Sequence, residues 1–372
     1  MTQERVPKPA SPSLALRFTL LGVSVLVALL LLEGAVRLRQ WMRYGTIRAE
    51  AVDYVTDPVS GLPHAKPNMD NGRVRTDSHG FRNPELAIPK PPGRIRLAFV
   101  GASTTFCSEV TNNEATWPSL VVRKLAAHYP AVSFDFVNAA QPGYGVESSL
   151  TNLRLRVVPL APDFLLYYEA SNDLSKDTRE LARREGLLSG EVDKPSALAR
   201  VSTAWGLVEK NLRLRMRANP KSGPRLVYNP DSLARGFEAR LVELIRTAQQ
   251  TASLTAVATF SHKVRRDQPP DLQLKACTSS LYYCPYMSVA GLLDGWDAYN
   301  RAIREAAKET GAILIEGEND IPGDDAHFAD SVHFLDPGAI RMADRVAGAL
   351  IASPEFNRMI EAKHASAGAS GS

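Results

Sequence analysis

The longest apolar run of the chain lies near its start, at residues 18–32 (FTLLGVSVLVALLLL), and it carries no charge. With its flanks, at residues 14–36, it reaches about 23 residues, which is the length that a membrane-spanning helix needs. We therefore predict a transmembrane anchor at residues 14–36 behind a short tail, residues 1–13. A cleaved signal peptide and a buried helix of a soluble protein remain open alternatives. Cleavage is disfavoured because the residues after Leu32 offer no clean small-x-small site.

Arginine and lysine residues occur on both sides of this run, so the positive-inside rule does not decide its orientation.

Further along the chain, short apolar runs alternate with stretches of helical spacing. The runs of strand length are residues 95–100, 132–137, 164–168, 254–260 and 312–315. The main helical patterns are residues 117–128, 232–250, 295–310 and 339–350. Strands that alternate with helices predict an α/β fold with a parallel central sheet covered on both faces, over residues 93–353.

Three segments depart from this alternation. Residues 37–92 form a lead-in that is rich in Pro, Gly, Asn and Asp from residue 54 onward, and we expect it to lie irregularly over the surface. Residues 174–230 are charged and mostly helical, which indicates an insertion at the carboxyl edge of the sheet. Residues 354–372 form a C-terminal tail, whose end (364–372, HASAGASGS) has the composition of a disordered segment.

Composition narrows the class of protein further. The 372 residues are 44% hydrophobic, and they contain 44 Lys and Arg against 40 Asp and Glu, for a net charge of +4. These values exclude wholesale disorder and disfavour a nucleic-acid binder, which would be strongly basic. Three cysteines are too few for a disulfide scaffold. The sequence has no phosphate-binding loop, no dinucleotide fingerprint and no metal-ligand cluster, so we predict neither a cofactor nor a metal.

The residues that follow the predicted strands carry the candidate chemistry, since sites in open α/β sheets form at the carboxyl ends of the strands. The segments 101–105 (GASTT), 138–143 (NAAQPG), 169–173 (EASND) and 330–333 (DSVH) place a serine, a glycine, an asparagine and an Asp-His pair at one edge.

These residues suit acyl transfer. The Ser103 hydroxyl needs a base to become a nucleophile, and His333 is a candidate base that Asp330 would orient. The N–H groups of Ser103 and Gly143 and the side-chain amide of Asn172 would stabilise the oxyanion of a tetrahedral intermediate.

Taken singly, each residue has an ordinary explanation. Ser103 and Asn172 occur where helix caps are common, and Gly143 suits a turn. The Asp-x-x-His spacing also recurs nearby, in Asp324 and His327. The order of all four pieces, each after a predicted strand, favours the catalytic interpretation.

The ordered set resembles the SGNH hydrolases, also called the GDSL lipase/esterase family. Residues 101–105 look like its first block in a G-x-S-T-T form, 138–144 like the second, 168–173 like the third and 330–333 like the last. The resemblance implies a three-layer, flavodoxin-like fold and a Ser103-His333-Asp330 triad. It favours Asp330 and His333 over the nearby pair, because a Pro-Gly turn and a closing helix follow them.

Two departures from the family pattern are visible. Ala170 stands where this branch often has glycine, and the first block lacks the aspartate before the serine.

The lead-in also resembles that of membrane-anchored bacterial members, at residues 32–37, 77–85 and 90–93. This implies a single-pass protein with a periplasmic catalytic domain that acts on ester-linked acyl groups, such as the O-acetyl groups of envelope or exported polysaccharide. A polysaccharide O-acyltransferase that uses the same triad remains an alternative. So do a catalytically silent glycan-binding module and, with less support, a lipase or thioesterase with a broad apolar cleft.

Cys277 and Cys284 lie close together in the sequence, and an extracytoplasmic location would allow them to form a disulfide. Tyr282, Tyr283 and Tyr286 could line a cleft or pack the same loop, and we favour packing.

Overall fold

The computed structural model describes residues 13–44, 52–188, 196–218 and 225–369. The chain forms two units, one of Met1–Ala49 with Asp193–Lys210 and a larger one of Glu50–Val192 with Asn211–Ser372. The strands are β1 (Tyr54–Thr56), β2 (Pro63–Ala65), β3 (Ile95–Gly101), β4 (Phe134–Asn138), β5 (Phe164–Tyr168), β6 (Leu254–Ala258) and β7 (Ile313–Ile315). The helices are α1 (Leu14–Tyr44), α2 (Ser103–Phe106), α3 (Trp117–His128), α4 (Val146–Asn152), α5 (Ser171–Arg184), α6 (Ala197–Val201), α7 (Thr203–Ala218), α8 (Pro230–Gln249), α9 (Pro270–Ala276), α10 (Thr278–Tyr283), α11 (Val289–Thr310), α12 (Asp336–Ala352) and α13 (Pro354–Ala369).

In the smaller unit, α1 is long and apolar enough to cross a membrane. Its candidate span Leu16–Met42 contains an 18-residue window with a mean hydropathy of 2.3, and none of that window is buried against protein. The helix continues to Tyr44, beyond the predicted end at residue 36, because the sequence up to that point contains no helix breaker.

The larger unit is built on a five-stranded sheet in the order β4-β3-β5-β6-β7, and every neighbouring pair is parallel. This is the flavodoxin-like order, in which the strand sequence reverses between β3 and β5. All five predicted strands are present. Strands β3 and β5 are buried along their whole length, which explains why their sequences are nearly continuous apolar runs. Helix α8 packs against α11 and α4, and α12 packs against α3, which gives the three layers.

The lead-in is more structured than predicted. Strands β1 and β2 pair as a small antiparallel hairpin, and the residues after it are buried in the larger unit. Arg82 is fully buried, and its guanidinium donates to the carbonyls of Phe106, Cys107 and Arg73 at 2.9, 2.6 and 3.1 Å. The lead-in is therefore part of the domain and contacts the end of α2, the helix that begins at Ser103.

The start of the predicted insertion also belongs to the domain core. Leu174, Thr178 and Ala182 of α5 are buried, because they lie on one face of the helix at intervals of four residues. Residues near 174 therefore belong to the domain core, and the predicted start of the insertion lies too close to the N-terminus of the chain.

The C-terminal segment is helical as far as Ala369, where a disordered end was expected from residue 364. Helix α13 is held by Phe356, which is fully buried and meets the Phe164 ring edge-on at 5.6 Å between centroids. The small residues of the tail continue a helix that this aromatic contact fixes upstream. Residues 370–372 lie outside the described part of the chain.

Candidate active site

The turn that carries Ser103 follows β3 directly. Gly101 ends the strand at a point where a Cβ would lie 2.3 Å from the Tyr168 carbonyl oxygen, so any side chain would clash with β5. Helix α2 begins at Ser103 and lasts one turn, up to Cys107, which adopts a left-handed conformation with φ of 61°. The serine side chain is thereby presented at the carboxyl edge of the sheet, on a short and sharply bent segment.

Ser103, His333 and Asp330 form one chain of hydrogen bonds. The Ser103 Oγ lies 2.7 Å from His333 Nε2, and His333 Nδ1 lies 2.9 Å from Asp330 Oδ2. Asp330 Oδ1 accepts the backbone N–H groups of Val332 and His333 at 2.9 and 3.0 Å. The aspartate therefore fixes both the ring and the backbone of the histidine, and Nε2 is left to accept the serine proton.

The charges of the pair reinforce this arrangement. Burial acts to raise the pKa of Asp330, but the charge of His333 and three hydrogen bonds hold that pKa well below its usual range. Burial acts to lower the pKa of His333, but the charge and hydrogen bond of Asp330 outweigh it and raise the pKa above 6.5. An ionised Asp330 therefore favours the protonated form of the His333 ring.

The nearby Asp324-His327 pair has the same internal geometry but a different location. His327 Nδ1 lies 2.8 Å from Asp324 Oδ1, which also accepts the backbone N–H groups of Ala326 and His327. The His327 carbonyl accepts the N–H of Leu335. This pair stabilises the loop before the triad, whereas only His333 reaches Ser103.

The loops after β3, β4 and β5 are tied together around Ser103. The Gln141 N–H donates to the Gly101 carbonyl at 3.2 Å, and the Asn172 side-chain amide donates to the Tyr144 carbonyl at 2.8 Å. Gly143 is exposed and has a φ of 85°, which favours glycine. Within the described part of the chain, the N–H groups of Ser103 and Gly143 donate to no other residue.

The three predicted oxyanion donors thus come from three connected loops. The Asn172 amide has a second N–H in addition to the one that holds Tyr144. The catalytic roles of these residues remain predictions.

The family model described as the GDSL-like Lipase/Acylhydrolase family matches residues 99–339, about two thirds of the chain, including most of the sheet and the three residues of the predicted triad. The chain belongs to the GDSL-like lipase/acylhydrolase family. It is an ester-cleaving enzyme of the SGNH hydrolase type, as the sequence motifs predicted. The match does not distinguish a membrane-anchored branch.

This acylhydrolase is also similar to several solved structures. The acetylxylan esterase Axe2 from Geobacillus stearothermophilus is 16% identical, with 73% of this chain and 96% of that chain covered and a TM-score of 0.42. A single-residue variant of Axe2 is 15% identical over 68% of this chain and 94% of that chain, with a TM-score of 0.44. LAE5, an alpha/beta hydrolase from the metagenome of Lake Arreo, Spain, is 14% identical over 71% and 97%, with a TM-score of 0.42. No curated protein sequence matches this acylhydrolase at a significant level.

Glu169, to which the sequence motifs assign no role, lies directly behind the site. Its buried carboxylate accepts the Asn172 backbone N–H at 2.7 Å and the Thr104 hydroxyl at 3.2 Å. It therefore links the residue after the nucleophile to the oxyanion candidate. Burial raises the pKa of Glu169 to about 7. The sequence signal was a carboxylate immediately after an apolar strand, where only a functional or tightly bonded acid is expected.

Asp173 of this acylhydrolase positions the loop that contains Gly143. Its buried carboxylate accepts the Val146 N–H at 2.9 Å, at the start of α4, and lies 3.6 Å from the Arg240 guanidinium. Gly145 makes room for it, because a Cβ there would lie 2.9 Å from Asp173 Oδ2. Burial raises the pKa of Asp173 to about 6.

The possible disulfide between Cys277 and Cys284 is not formed in the structure. Both thiols are free and buried, and helix α10 lies between them, with one cysteine at each end. The six residues of α10 lie between them, and seven helical steps of about 1.5 Å place their Cα atoms about 10 Å apart, beyond the reach of a disulfide. The two cysteines instead occupy separate positions in the core of this acylhydrolase.

Replacement of Asn172 by Asp tests the oxyanion assignment. The new carboxylate would oppose the developing oxyanion, so we expect kcat to fall by roughly a hundredfold or more with a smaller change in KM. Asn357→Asp is the matched control, because the Asn357 amide also donates to backbone carbonyls but lies on α13. Steady-state kinetics of folded variants decide the question. A kcat near the wild-type value in Asn172→Asp would remove Asn172 from the site.

A second test uses the pH dependence. His333 must be neutral to accept a proton, so kcat/KM should rise with pH through the raised pKa of His333, above pH 6.5. After burial and the effects of Asp330, the charges of Glu109 and then Glu169 are further causes of the shift in the pKa of His333. In Glu169→Gln the acid limb of the profile should therefore move to lower pH. Glu147→Gln, an exposed residue paired with Lys176, should leave the limb in place. An unmoved limb in Glu169→Gln would show that the two groups are not coupled.

Proposed function

We propose that this protein is a membrane-anchored esterase that removes short acyl groups, such as O-acetyl groups, from envelope or exported polysaccharide. The observation that carries the esterase chemistry is the continuous hydrogen-bond chain from Ser103 Oγ through His333 to Asp330. The acyl group, the carbohydrate and the membrane location are each supported by a separate feature.

The proposed reaction runs in two balanced halves. Ser103 Oγ attacks the ester carbonyl while its proton passes to His333 Nε2, and the oxyanion is held by the N–H groups of Ser103 and Gly143 and by the Asn172 amide. Collapse breaks the bond to the sugar oxygen, which leaves as the alcohol with the proton from His333. Water then attacks the acyl-serine through the same base, which releases the acid and restores Ser103. In these steps Asp330 stays ionised and stabilises the imidazolium.

An exposed aromatic side chain beside the triad supports a carbohydrate substrate. Helix α10 is fastened to the catalytic loop by Ser279 Oγ and the Ser280 N–H, which bond Ser331 Oγ at 2.8 and 3.2 Å. Tyr283 at the end of α10 is 53% exposed, and its ring meets that of Tyr282 edge-on. Such an exposed ring suits stacking against the apolar face of a sugar. The exposure of Tyr283 favours the alternative that this ring lines a cleft.

The exposed surface of the larger unit supports a short acyl group. Apart from α7, its large exposed hydrophobic residues among those described are Tyr54, Val59, Ile88, Leu155, Val227, Leu272, Tyr283 and Ile340. They are scattered along the chain, and a broad apolar cleft would need several of them beside the triad. This disfavours a lipase.

Helix α1 supports the membrane anchor, because its large apolar side chains from Leu16 to Leu32 are exposed. The proposal places the catalytic unit outside the cytoplasm, in line with the lead-in motifs. A C-terminal alkaline phosphatase fusion, which is active only outside the cytoplasm, tests this orientation.

The substrate is tested with full-length protein on an acetylated oligosaccharide and on p-nitrophenyl acetate. We expect acetate release from both, without any sugar acceptor. In Tyr283→Ala, KM for the oligosaccharide should rise about tenfold, as expected for loss of an aromatic contact of about 1.4 kcal/mol, while p-nitrophenyl acetate turnover stays constant.

Tyr283→Phe should restore the oligosaccharide KM, and Tyr54→Ala, another exposed tyrosine, should not change it. Transfer of acetyl to an added oligosaccharide in place of acetate release would indicate an acyltransferase. Equal losses on both substrates in Tyr283→Ala would contradict a role in sugar binding.

A further inference from the structure

Helices α6 and α7 carry an exposed apolar stripe in the part of the chain that sequence analysis left as an insertion. Trp205 and Val208 of α7 are 44% and 52% exposed and lie three residues apart on one face of the helix, and Val201 at the end of α6 is 70% exposed. Leu212 and Met216 continue the same spacing along α7 and are also exposed. Such a stripe on a surface helix is normally buried against a partner.

The charge of α7 indicates what kind of partner this is. The helix sequence contains Lys210, Arg213, Arg215 and Arg217 against a single acidic residue, Glu209. A basic helix with an apolar stripe that includes tryptophan is typical of segments that lie in the surface layer of an anionic membrane.

The start of α7 is held by α1. Glu33 Oε1 accepts the Thr203 N–H at 2.9 Å, and Glu33 Oε2 accepts the Ala204 N–H at 3.0 Å. The Ser202 hydroxyl also donates to Glu33, at 2.8 Å. The α1 carboxylate therefore acts as the N-terminal cap of α7, using two backbone donors that would otherwise be unpaired.

Arg37, one turn further along α1, completes the junction. It donates to Glu33 at 2.7 Å and to the Val201 carbonyl at 3.2 Å, where α6 ends. Glu33 directly follows the last residue of the uncharged run, Leu32. The beginning of α7 is thus fixed where the apolar part of α1 gives way to charged residues, which is where a spanning helix meets the membrane surface.

We propose that α7 lies in the interfacial layer of the membrane, with Trp205 and Val208 among the acyl chains of an anionic lipid surface. This rests on α1 being the membrane anchor. The net positive charge of the α7 sequence favours an anionic surface, and the junction at Glu33 sets the depth at which the helix begins. The partner of the apolar stripe is therefore lipid.

Tryptophan fluorescence tests this in the full-length protein. Of the four tryptophans, Trp117 and Trp296 are buried in the larger unit, and Trp41 lies on α1. A Trp41→Phe variant therefore has Trp205 as its one exposed tryptophan. In vesicles of phosphatidylcholine and phosphatidylglycerol brominated near the headgroup end of the acyl chains, its fluorescence should be strongly quenched. The additional Trp205→Phe change should abolish that quenching.

Alkaline extraction of the same vesicles separates the two proposals. Protein that resists extraction but whose Trp205 is not quenched would overturn the placement of α7 and leave the anchor intact. Protein that is extracted would overturn both. Quenching that persists without Trp205 would also overturn the placement of α7.

A photo-crosslinking experiment tests the alternative that a second copy of the chain, and not lipid, covers the apolar stripe of α7. Benzoylphenylalanine introduced at Val208 should crosslink to lipid. A crosslinked dimer would show that the stripe is a protein interface and would overturn the proposal.

Discussion

Ser103→Ala should lose ester hydrolysis by roughly four to six orders of magnitude, because no other group in the site can form the acyl-enzyme. The same variant should no longer be labelled by a fluorophosphonate probe, which reacts with an activated serine. The fold should survive, since Ser103 is only half-buried and alanine suits the first turn of a helix. Activity on p-nitrophenyl acetate and gel fluorescence of the labelled protein are the two measurements.

Ser108→Ala is the matched control for this change. Ser108 is also half-buried and lies just beyond the same turn, where its N–H donates to the Ser103 carbonyl. Its hydroxyl has no part in the proposed reaction, so labelling and turnover should stay close to those of the wild type. If Ser103→Ala labelled as strongly as wild type, another residue would be the nucleophile.

His333→Ala should be as severe as the loss of the serine, whereas His327→Ala should retain most of the activity. Each histidine is bonded to an aspartate three residues earlier, at 2.9 and 2.8 Å, so each variant loses a similar local contact. Only His333 has its other nitrogen on Ser103, at 2.7 Å. Loss of a triad base costs roughly four to six orders of magnitude in kcat. Steady-state rates of both variants, with circular dichroism to check folding, measure the contrast.

The comparison is decisive in either direction because the two variants are matched in chemistry. If His327→Ala were the inactive variant, the base would belong to the Asp324 pair and the orientation of the substrate would have to change. Comparable activity in both variants would mean that neither histidine is the base.

The sheet was predictable because its strands are buried on both faces. Both faces of a strand such as Phe164–Tyr168 are covered by protein, so every position is apolar or aromatic and the strand can be recognised in the sequence as a continuous run. The site was predictable for a related reason, since parallel strands end at one edge and Ser103, Asn172 and His333 each follow a strand. The spacing of the Asp-His pair could not separate His333 from His327, and only the following Pro-Gly turn and helix favoured the former.

The lead-in was not predictable, because its contribution is made by buried polar groups. Arg82 donates mainly to backbone carbonyls, and because every residue has a carbonyl, these acceptors cannot be identified from the amino-acid sequence. Glu169 escaped assignment for the same reason, since one of its partners is a backbone N–H. The possible disulfide could not be judged from the sequence, because proximity in sequence carries no information about the helix that separates Cys277 from Cys284.

The burial of Arg82 determines how far the protein can be shortened from its N-terminus. A soluble version that begins at residue 93, where the first strand of the sheet approaches, would leave the carbonyls of Phe106 and Cys107 without the guanidinium that they bond. Each buried polar group left unpaired costs about 1–3 kcal/mol, and the stability of a whole domain is only about 5–15 kcal/mol. Such a truncation would loosen the one-turn helix on which Ser103 sits. A version that begins near Val52 keeps the hairpin, Arg82 and the support beneath the nucleophile, while α1 is removed.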